Sequence, residues 1–188
     1  MKYVSVSGSL RKNVGKKDAK EQRKNGLIPS VLYGGEKQIP LLIKEKSFKD
    51  LIYTPEVRYV ELDVDGQNYK AVIQETQFHK VTGKLLHVDF LEVIQEKPIT
   101  IDIPLHVKGN SPGVIRGGKL SKRVRKLKVK GLLEHIPENI TVDISDLDIL
   151  DAIKVEDIQL DNVSIIDIPS KVVVTVLSSR NVEEAPKE

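Results

Sequence analysis

The sequence contains no cysteine and no tryptophan, and only five tyrosines and three phenylalanines occur among its 188 residues. Without cysteine there is neither a disulfide framework nor a thiolate metal site, so disulfide-stapled folds and zinc ribbons are excluded. Apolar runs are also short. None approaches the roughly 18 residues that a membrane span requires, and the first residues lack the apolar segment of a signal peptide. We therefore expect a soluble cytoplasmic protein with no membrane partner.

The motifs of common enzyme classes are missing as well. There is no G-x-S-x-G nucleophile elbow, no H-E-x-x-H zinc motif and no phosphate-binding loop. His87 and Asp89 stand two residues apart on a predicted strand and so share one face. A metal pair or a catalytic pair is one interpretation, but no third ligand accompanies them, and a histidine oriented by its neighbours is the simpler interpretation. We predict that the protein is not an enzyme and holds no metal or cofactor.

Net charge is low, but the charges are unevenly distributed. The net charge is only +3, from 30 basic and 27 acidic residues. Residues 1–37, however, contain nine Lys or Arg against three acids, and residues 108–130 contain nine against none. Residues 138–167 reverse the balance, with one Lys against nine acids. The folded protein should therefore carry faces of opposite charge.

The first half of the chain has the pattern of short strands separated by turns. Strands are predicted at residues 3–10, 28–33, 39–43, 59–64, 69–73 and 85–93. Asp65-Gly66 supplies a tight hairpin turn between two of them, and Ser47 is placed to cap a short helix. About six strands with short turns favour a closed or nearly closed β-barrel.

The second half predicts a separate β domain. The polar residues that end in Pro98 break the strand pattern, so we place a domain boundary after residue 94. Beyond it, strands are predicted at residues 99–103, 127–133, 140–144 and 172–177. The fold class is therefore mainly β, with a barrel domain at 1–94 and a small sandwich or sheet at 95–180. Residues 109–118 are predicted to be a flexible loop, and residues 181–188 a disordered tail.

The segment after the first strand is rich in cations and poor in apolar residues. Seven cations fall within 14 residues: Arg11, Lys12, Lys16, Lys17, Lys20, Arg23 and Lys24. Val14 and Ala19 are the only apolar side chains there, so a helix formed by this segment would have no face to bury. The segment is therefore either mobile or stabilised by a polar partner, and phosphates suit that role. The alternative is a solvated face with salt bridges from Asp18 and Glu21.

Other polar side chains predict that the partner is RNA. Tyr33, next to two glycines, can stack on a base or donate its hydroxyl to a sugar or phosphate, although packing in the core suits it as well. Double-stranded RNA presents a wide, shallow minor groove lined by 2′-hydroxyls, which a β-barrel with polar groups can approach. Asp89 can accept a hydrogen bond from a 2′-hydroxyl or a guanine amino group, which a surface that only attracts charge would not need.

Several motifs along the chain form one recognisable set. In the N-terminal half they are L-R-K and G-K at 10–12 and 15–16, V-L-Y-G-G at 31–35, Q-F-H at 77–79 and L-H-V-D-F at 86–90. In the C-terminal half they are I-P-E-N-I at 136–140 and V-D-I-S-D-L at 142–147. Together they resemble the general stress protein CTC family of bacterial large-subunit ribosomal proteins, which bind 5S rRNA. The resemblance covers nearly the whole chain and indicates the long, two-domain form.

This resemblance implies a six-stranded N-terminal barrel seated in the minor groove of 5S rRNA near its internal loop E. By motif position the RNA-binding residues are Arg11, Lys12, Lys16, Lys20, Arg23, Tyr33, His87 and Asp89. The cations would contact phosphates, and the last three residues would line the surface that faces the RNA. The implied partners are 5S rRNA and the large ribosomal subunit, with 23S rRNA or neighbouring ribosomal proteins reached through the C-terminal domain. We expect a monomer when the protein is free.

Two questions stay open at the level of sequence. The basic run at 119–130 either touches other ribosomal RNA or offsets the acidic stretch at 143–167. A stress-associated binding protein acting off the ribosome is the alternative function.

Replacing Arg11 or Arg23 by alanine is expected to weaken RNA binding and to flatten its salt dependence by about one unit of slope for each phosphate interaction that the substitution removes.

Overall fold

The computed structural model describes residues 3–52, 54, 56–94 and 97–178. The chain divides into two compact units: the first extends to Ile99 and also includes Leu132–Glu134, and the second begins at Thr100. The predicted boundary after residue 94 lies close to this point. The tail predicted at 181–188 falls outside the described residues.

The first unit is built from six strands and three short helical segments in the part of the chain that the structure describes. The strands are β1 (Tyr3–Leu10), β2 (Leu27–Tyr33), β3 (Ile39–Lys44), β4 (Tyr59–Val64), β5 (Gln67–Phe78) and β6 (Leu85–Glu92). The helical segments are α1 (Lys16–Lys24), a 3-10 turn (Glu45–Phe48) and α2 (Lys49–Ile52). Every strand predicted for this half is present, and β5 is longer than predicted at both ends.

The six strands close into a barrel in the order β1-β3-β2-β6-β5-β4, which confirms the predicted fold. Neighbouring strands are antiparallel except for two parallel pairs, β1 with β4 and β2 with β6. The hairpin between β4 and β5 turns at Asp65 and Gly66, whose φ angles of 49° and 89° are those of a tight hairpin turn. The hairpin predicted from the sequence is therefore confirmed.

Alternate residues of the strands fill the barrel interior. The buried side chains include Val6, Leu32, Ile43, Leu62 and Phe90. Phe48, from the 3-10 turn, joins this core and stacks on Phe90 with 6.3 Å between the ring centroids. Ser47 lies inside that turn and does not cap a helix as predicted, because the turn begins two residues earlier. Since one side of each strand faces the core, the alternate residues face outward.

The second unit contains two small sheets, in agreement with the predicted second β domain. Its strands are β7 (Ile99–Lys108), β8 (Lys119–Lys122), β9 (Lys126–Gly131), β10 (Ile140–Asp143), β11 (Ala152–Lys154), β12 (Ser164–Ile165) and β13 (Val172–Leu177). One sheet has the order β10-β7-β9-β12 and the other the order β11-β13-β8. The predictions for β7, β9, β10 and β13 are confirmed, whereas β8, β11 and β12 were not predicted. None of the described helices is long and apolar enough to cross a membrane.

The stretch at 109–118 is not the flexible loop that its composition predicted. A short helix, α3 (Pro112–Ile115), lies within it. Ser111 is buried, accepts a hydrogen bond from the Val114 N–H at 3.3 Å and donates one to the carbonyl of Leu147. Gly113 packs so closely on the backbone of Asp148 that an added Cβ would lie 2.6 Å from its carbonyl carbon. These contacts with residues distant in sequence give the stretch its order.

Candidate nucleic-acid interface

The basic segment after β1 folds as a helix that has no core of its own. None of the nine residues of α1 is buried. Backbone hydrogen bonds attach both ends of the segment to the barrel: Arg11 N–H donates to the Pro40 carbonyl, and Glu45 N–H donates to the Gly26 carbonyl, each at 2.9 Å. Gly26 follows the helix with a φ of 74°, a conformation that favours glycine. The segment is therefore held at two points beside β3.

A polar network closes the first turn of α1. Nε and Nη2 of Arg11 both lie 2.8 Å from Oδ2 of Asp18. Nη2 also donates to the Gly15 carbonyl at 3.1 Å, and the Gln22 amide donates to the other carboxylate oxygen at 3.1 Å. The hydrogen bonds from Gln22 and Arg11 lower the pKa of Asp18 below its ordinary value, so the carboxylate is ionised at neutral pH. The arginine and aspartate side chains are only 11% and 19% exposed.

This network changes the role expected of Arg11. The sequence suggested that the segment is either mobile or stabilised by a polar partner, and the structure supplies such a partner within the chain. Because Asp18 already pairs with Arg11, this arginine holds the helix in place, and its contact with a phosphate stays a prediction that would have to share the guanidinium with Asp18. The other interpretation of the sequence was a solvated face with salt bridges from Asp18 and Glu21, and the structure shows such a salt bridge between Asp18 and Arg11.

The predicted lysines are differently placed. Lys12, Lys16 and Lys20 are exposed, and their side chains make no hydrogen bond or ion pair across the described parts of the chain. Arg23 is only partly exposed, and its Nε is buried without a hydrogen-bond partner among the described residues. A contact between Arg23 and a phosphate must therefore use its two terminal nitrogens. The three lysines remain available to an external anion.

The other predicted residues lie on the outer face of the barrel around β6. Val88 and Phe90 are buried in the core, so His87 and Asp89 face outward. In the strand register Asp89 lies opposite Val31 of β2 on one side and Glu75 of β5 on the other. The same register sets His87 opposite Gln77 of β5. The barrel therefore presents a patch of polar side chains centred on β6.

A short hydrogen bond orients the histidine in this patch. Nδ1 of His87 lies 2.6 Å from Oδ1 of Asp89, with 30% and 25% of the two side chains exposed. Nε2 is not used in this bond and is left for another partner. Within the described ranges no three His, Cys, Asp or Glu side chains are grouped as a metal site would require. The arrangement is that of a histidine oriented by its neighbour.

Tyr33 belongs to the same patch. It ends β2, which is hydrogen-bonded to β6, and it is only partly buried. Burial raises the pKa of the Tyr33 hydroxyl, and the negative charges of Asp89 and Glu75 raise it further. The hydroxyl is therefore protonated at neutral pH and can donate a hydrogen bond.

Strand β2 connects the two predicted parts of the site. Helix α1 packs against β2, and β2 is the neighbour of β6 in the barrel. Unpaired lysines thus lie on the element beside a patch of donors and acceptors. Phosphates would bind the lysines. The carboxylate of Asp89 would repel a polyanion unless it accepted a hydrogen bond from it. The minor groove of RNA offers such donors in its 2′-hydroxyls and guanine amino groups.

Two residues of the patch were missed from the sequence. Glu75 and Gln77 lie beside Asp89 and His87, but the predicted strand ended at residue 73, whereas β5 continues to Phe78. Gln77 stood in one of the family motifs, which was the signal that could have found it. Asp18 was noticed only as a possible source of salt bridges, and its pairing with Arg11 depends on the folded geometry.

Comparison with known proteins agrees with this architecture. The model of the ribosomal L25p family matches residues 6–90, which span the barrel strands. The large ribosomal subunit protein bL25 of Porphyromonas gingivalis is 41% identical over 182 residues, covering 96% of this chain and 95% of the relative. The chain belongs to the ribosomal L25p family.

Other L25p relatives extend over the same length. The bL25 protein of Cytophaga hutchinsonii is 41% identical over 184 residues, with 98% of this chain and 96% of the relative covered. That of Bacteroides thetaiotaomicron is 36% identical, with 96% and 94% covered. The second unit matches the C-terminal domain of ribosomal protein TL5 over residues 98–180. The family inferred from the motifs is confirmed in its two-domain form. The relatives are ribosomal proteins, which confirms the prediction that this L25p protein is not an enzyme.

Proposed function

We propose that this L25p protein is a structural component of the large ribosomal subunit and binds 5S rRNA through the barrel face around β6 together with α1. The names of its relatives support the place in the large subunit. The observation that carries the RNA contact is the position of three unpaired lysines on and beside α1, next to the patch that contains Tyr33, His87 and Asp89. The ribosome is the corresponding location in the cell.

The two parts of the face have different tasks in this proposal. Lys16 and Lys20 are four residues apart on α1 and lie side by side, with Lys12 before the helix, so they follow a line of phosphates. Tyr33 donates from its protonated hydroxyl, and Asp89 accepts from a 2′-hydroxyl or a guanine amino group. Because DNA has no 2′-hydroxyl, the patch also favours RNA over DNA. None of these contacts favours the alternative of a stress-associated function off the ribosome.

A binding titration of the full chain tests the proposal. The probes are 5S rRNA and an unrelated RNA duplex of equal length, each measured over a series of salt concentrations by filter binding. We expect 5S rRNA to bind at least about a hundredfold more tightly at physiological salt, because hydrogen bonds in the groove add to the phosphate contacts. Equal affinity for the two probes would show that the face attracts charge without recognising 5S rRNA.

The phosphate contacts of α1 make a separate prediction. Replacing Lys16 or Lys20 by glutamine should lower the slope of log K against log salt for 5S rRNA by about 0.9 each, the value for one phosphate contact in a duplex. Lys154→Gln is the matched control, because it removes the same charge from the second unit, where Lys154 pairs with Glu156 at 3.1 Å. The assignment of α1 to phosphates fails if the slopes of the two α1 variants equal that of the control.

A further inference from the structure

Strand β9 presents a row of lysines on its outer side. Lys126, Lys128 and Lys130 are exposed and alternate with the buried residues Leu127 and Val129. Since residues two apart on a strand are separated by about 6.7 Å, the row spans about 13 Å in a nearly straight line. No side-chain hydrogen bond or ion pair engages the three ammonium groups in the described chain.

The position of β9 in its sheet removes the usual explanation for such a row. Lysines on an edge strand prevent pairing with the edge of another sheet. Strand β9 is not an edge strand, because it lies between β7 and β12. Three like charges on an inner strand repel one another without protecting an edge. The row therefore calls for a binding partner of opposite charge.

No ion pair joins the row to the acidic stretch among the residues that the structure describes. Three carboxylates of that stretch form ion pairs with other cations: Asp148 with Arg116, Glu156 with Lys154 and Asp167 with Lys171. Asp167 accepts the backbone N–H of Lys128 at 2.8 Å, and the positive charge of Lys128 also contributes to lowering the pKa of this carboxyl. Although burial opposes its ionisation, the bonds from Lys128 N–H and Lys171 hold its pKa below the ordinary value. The acidic stretch thus acts on the row at Lys128, through the charge of Asp167, and the interpretation that it offsets the whole basic run stays a prediction.

The neighbouring strand leaves the row open. Ser164 of β12 lies opposite Lys130, and its hydroxyl donates to the carbonyl of that lysine at 3.2 Å. Ile166, whose N–H donates to the Lys128 carbonyl, is 48% exposed. Both of these neighbours on β12 are uncharged, whereas β7, on the other side of β9, carries the exposed Asp102 on its outward face. An anionic ligand can therefore approach the row from the β12 side.

We infer that the outer face of β9 is a second polyanion-binding surface of this protein, which takes the phosphate backbone of ribosomal RNA. The inference goes beyond the proposed contact of the barrel with 5S rRNA and does not depend on it. Lysine is a compact point charge that suits phosphates, and the row contains no aromatic side chain to stack on a base. The surface therefore positions RNA without reading its sequence. A ribosomal protein is surrounded by this polyanion, which favours RNA over an acidic protein.

Two double variants of the full chain test this surface. Lys126→Gln/Lys130→Gln removes two charges from the row, and Arg116→Gln/Lys154→Gln removes two charges that are paired with acids in the same unit, with Asp148 and Glu156. The probes are large ribosomal subunits stripped of this protein, and 5S rRNA alone. We expect the row variant to bind stripped subunits about tenfold more weakly at physiological salt, with a slope of log K against log salt reduced by about two. Its affinity for 5S rRNA should equal that of the wild type, and the control should match the wild type with both probes.

Three results would overturn the inference. The first is unchanged affinity and slope of the row variant on stripped subunits. The second is an equal loss in the control, which would indicate a general effect of charge. The third is a photo-crosslinker at Ile166 that captures a ribosomal protein in place of RNA. Neither double variant changes a residue of the barrel. Failure of the 5S rRNA proposal would therefore appear in the titration with 5S rRNA, and the comparison on stripped subunits would still test the role of β9.

Discussion

Asp89→Ala should weaken binding of the full chain to 5S rRNA by about 10- to 100-fold. A hydrogen bond to a charged group contributes roughly 1.5–3 kcal/mol, and each 1.4 kcal/mol corresponds to a tenfold change in affinity. The substitution also frees His87, because it removes the 2.6 Å bond between Nδ1 and the carboxylate. The sign of the change in affinity distinguishes a hydrogen bond from a purely electrostatic effect. If Asp89 did not touch RNA, removing its negative charge beside a polyanion should strengthen binding.

Glu61→Ala provides the matched control for Asp89. Glu61 lies on β4, which is separated from β6 by β5 in the barrel, and its loss changes the net charge by the same amount. We expect this control to bind 5S rRNA as tightly as the wild type or more tightly. Thermal melting of both variants checks that the barrel is intact. If Asp89→Ala binds like the control, the carboxylate does not touch RNA and the patch around β6 is not the reading surface.

The barrel was predictable because its signals are local. The alternation of valine and serine in β1 and the Asp65-Gly66 turn report on neighbouring residues, and both are confirmed. The length of β5 was not predictable in the same way. Its register to β6 shifts between Ile73 and Glu75. The additional residue breaks the period of two, so the pattern appeared to stop before the strand did.

Several strands of the second unit could not be predicted from local sequence patterns. Strands β8, β11 and β12 have four, three and two residues, which is too short for a period of two to be recognised. Each is defined by its partner strand, as when β8 pairs with the apolar strand β13. Likewise, the order of residues 109–118 depends on the bond from Ser111 to Leu147, which is 36 residues away in sequence. Composition cannot reveal contacts of this kind.

The candidate site was predictable in its residues but not in their pairing. The cations of α1 were evident from the count, and Tyr33, His87 and Asp89 came from the family motifs. A count of charges does not show which cations are neutralised within the fold. Arg11 directly follows β1 and Asp18 lies in the first turn of α1, and non-helical residues join them. Their separation of seven residues is not one of the i,i+3 or i,i+4 spacings at which side chains of one helix contact each other, so only the folded structure identifies the pair.

Asp18→Ala should weaken binding to 5S rRNA about tenfold without changing its salt slope. Alanine is the better helix former, and the substitution removes a negative charge near the RNA, so both propensity and electrostatics predict tighter binding. The structure predicts the reverse, because Asp18 holds Arg11 and Gln22 and thereby closes the first turn of a helix with no buried face. Without this network the nine-residue helix is only marginally populated, and affinity falls with the competent fraction.

Glu21→Ala separates the two explanations for Asp18. Glu21 is an exposed acid on the same helix and is not part of the Arg11 network, so its loss makes the same change in charge and a smaller change in helix propensity in the same direction. We expect Glu21→Ala to bind 5S rRNA as tightly as the wild type or more tightly, and amide hydrogen exchange in α1 to accelerate only in Asp18→Ala. Tighter binding by both variants would mean that Asp18 merely repels RNA. Weaker binding by Asp18→Ala together with unchanged or tighter binding by Glu21→Ala would show that an acidic residue can strengthen polyanion binding. It does so by ordering the cations around it, because Arg11 holds the helix that carries Lys16 and Lys20.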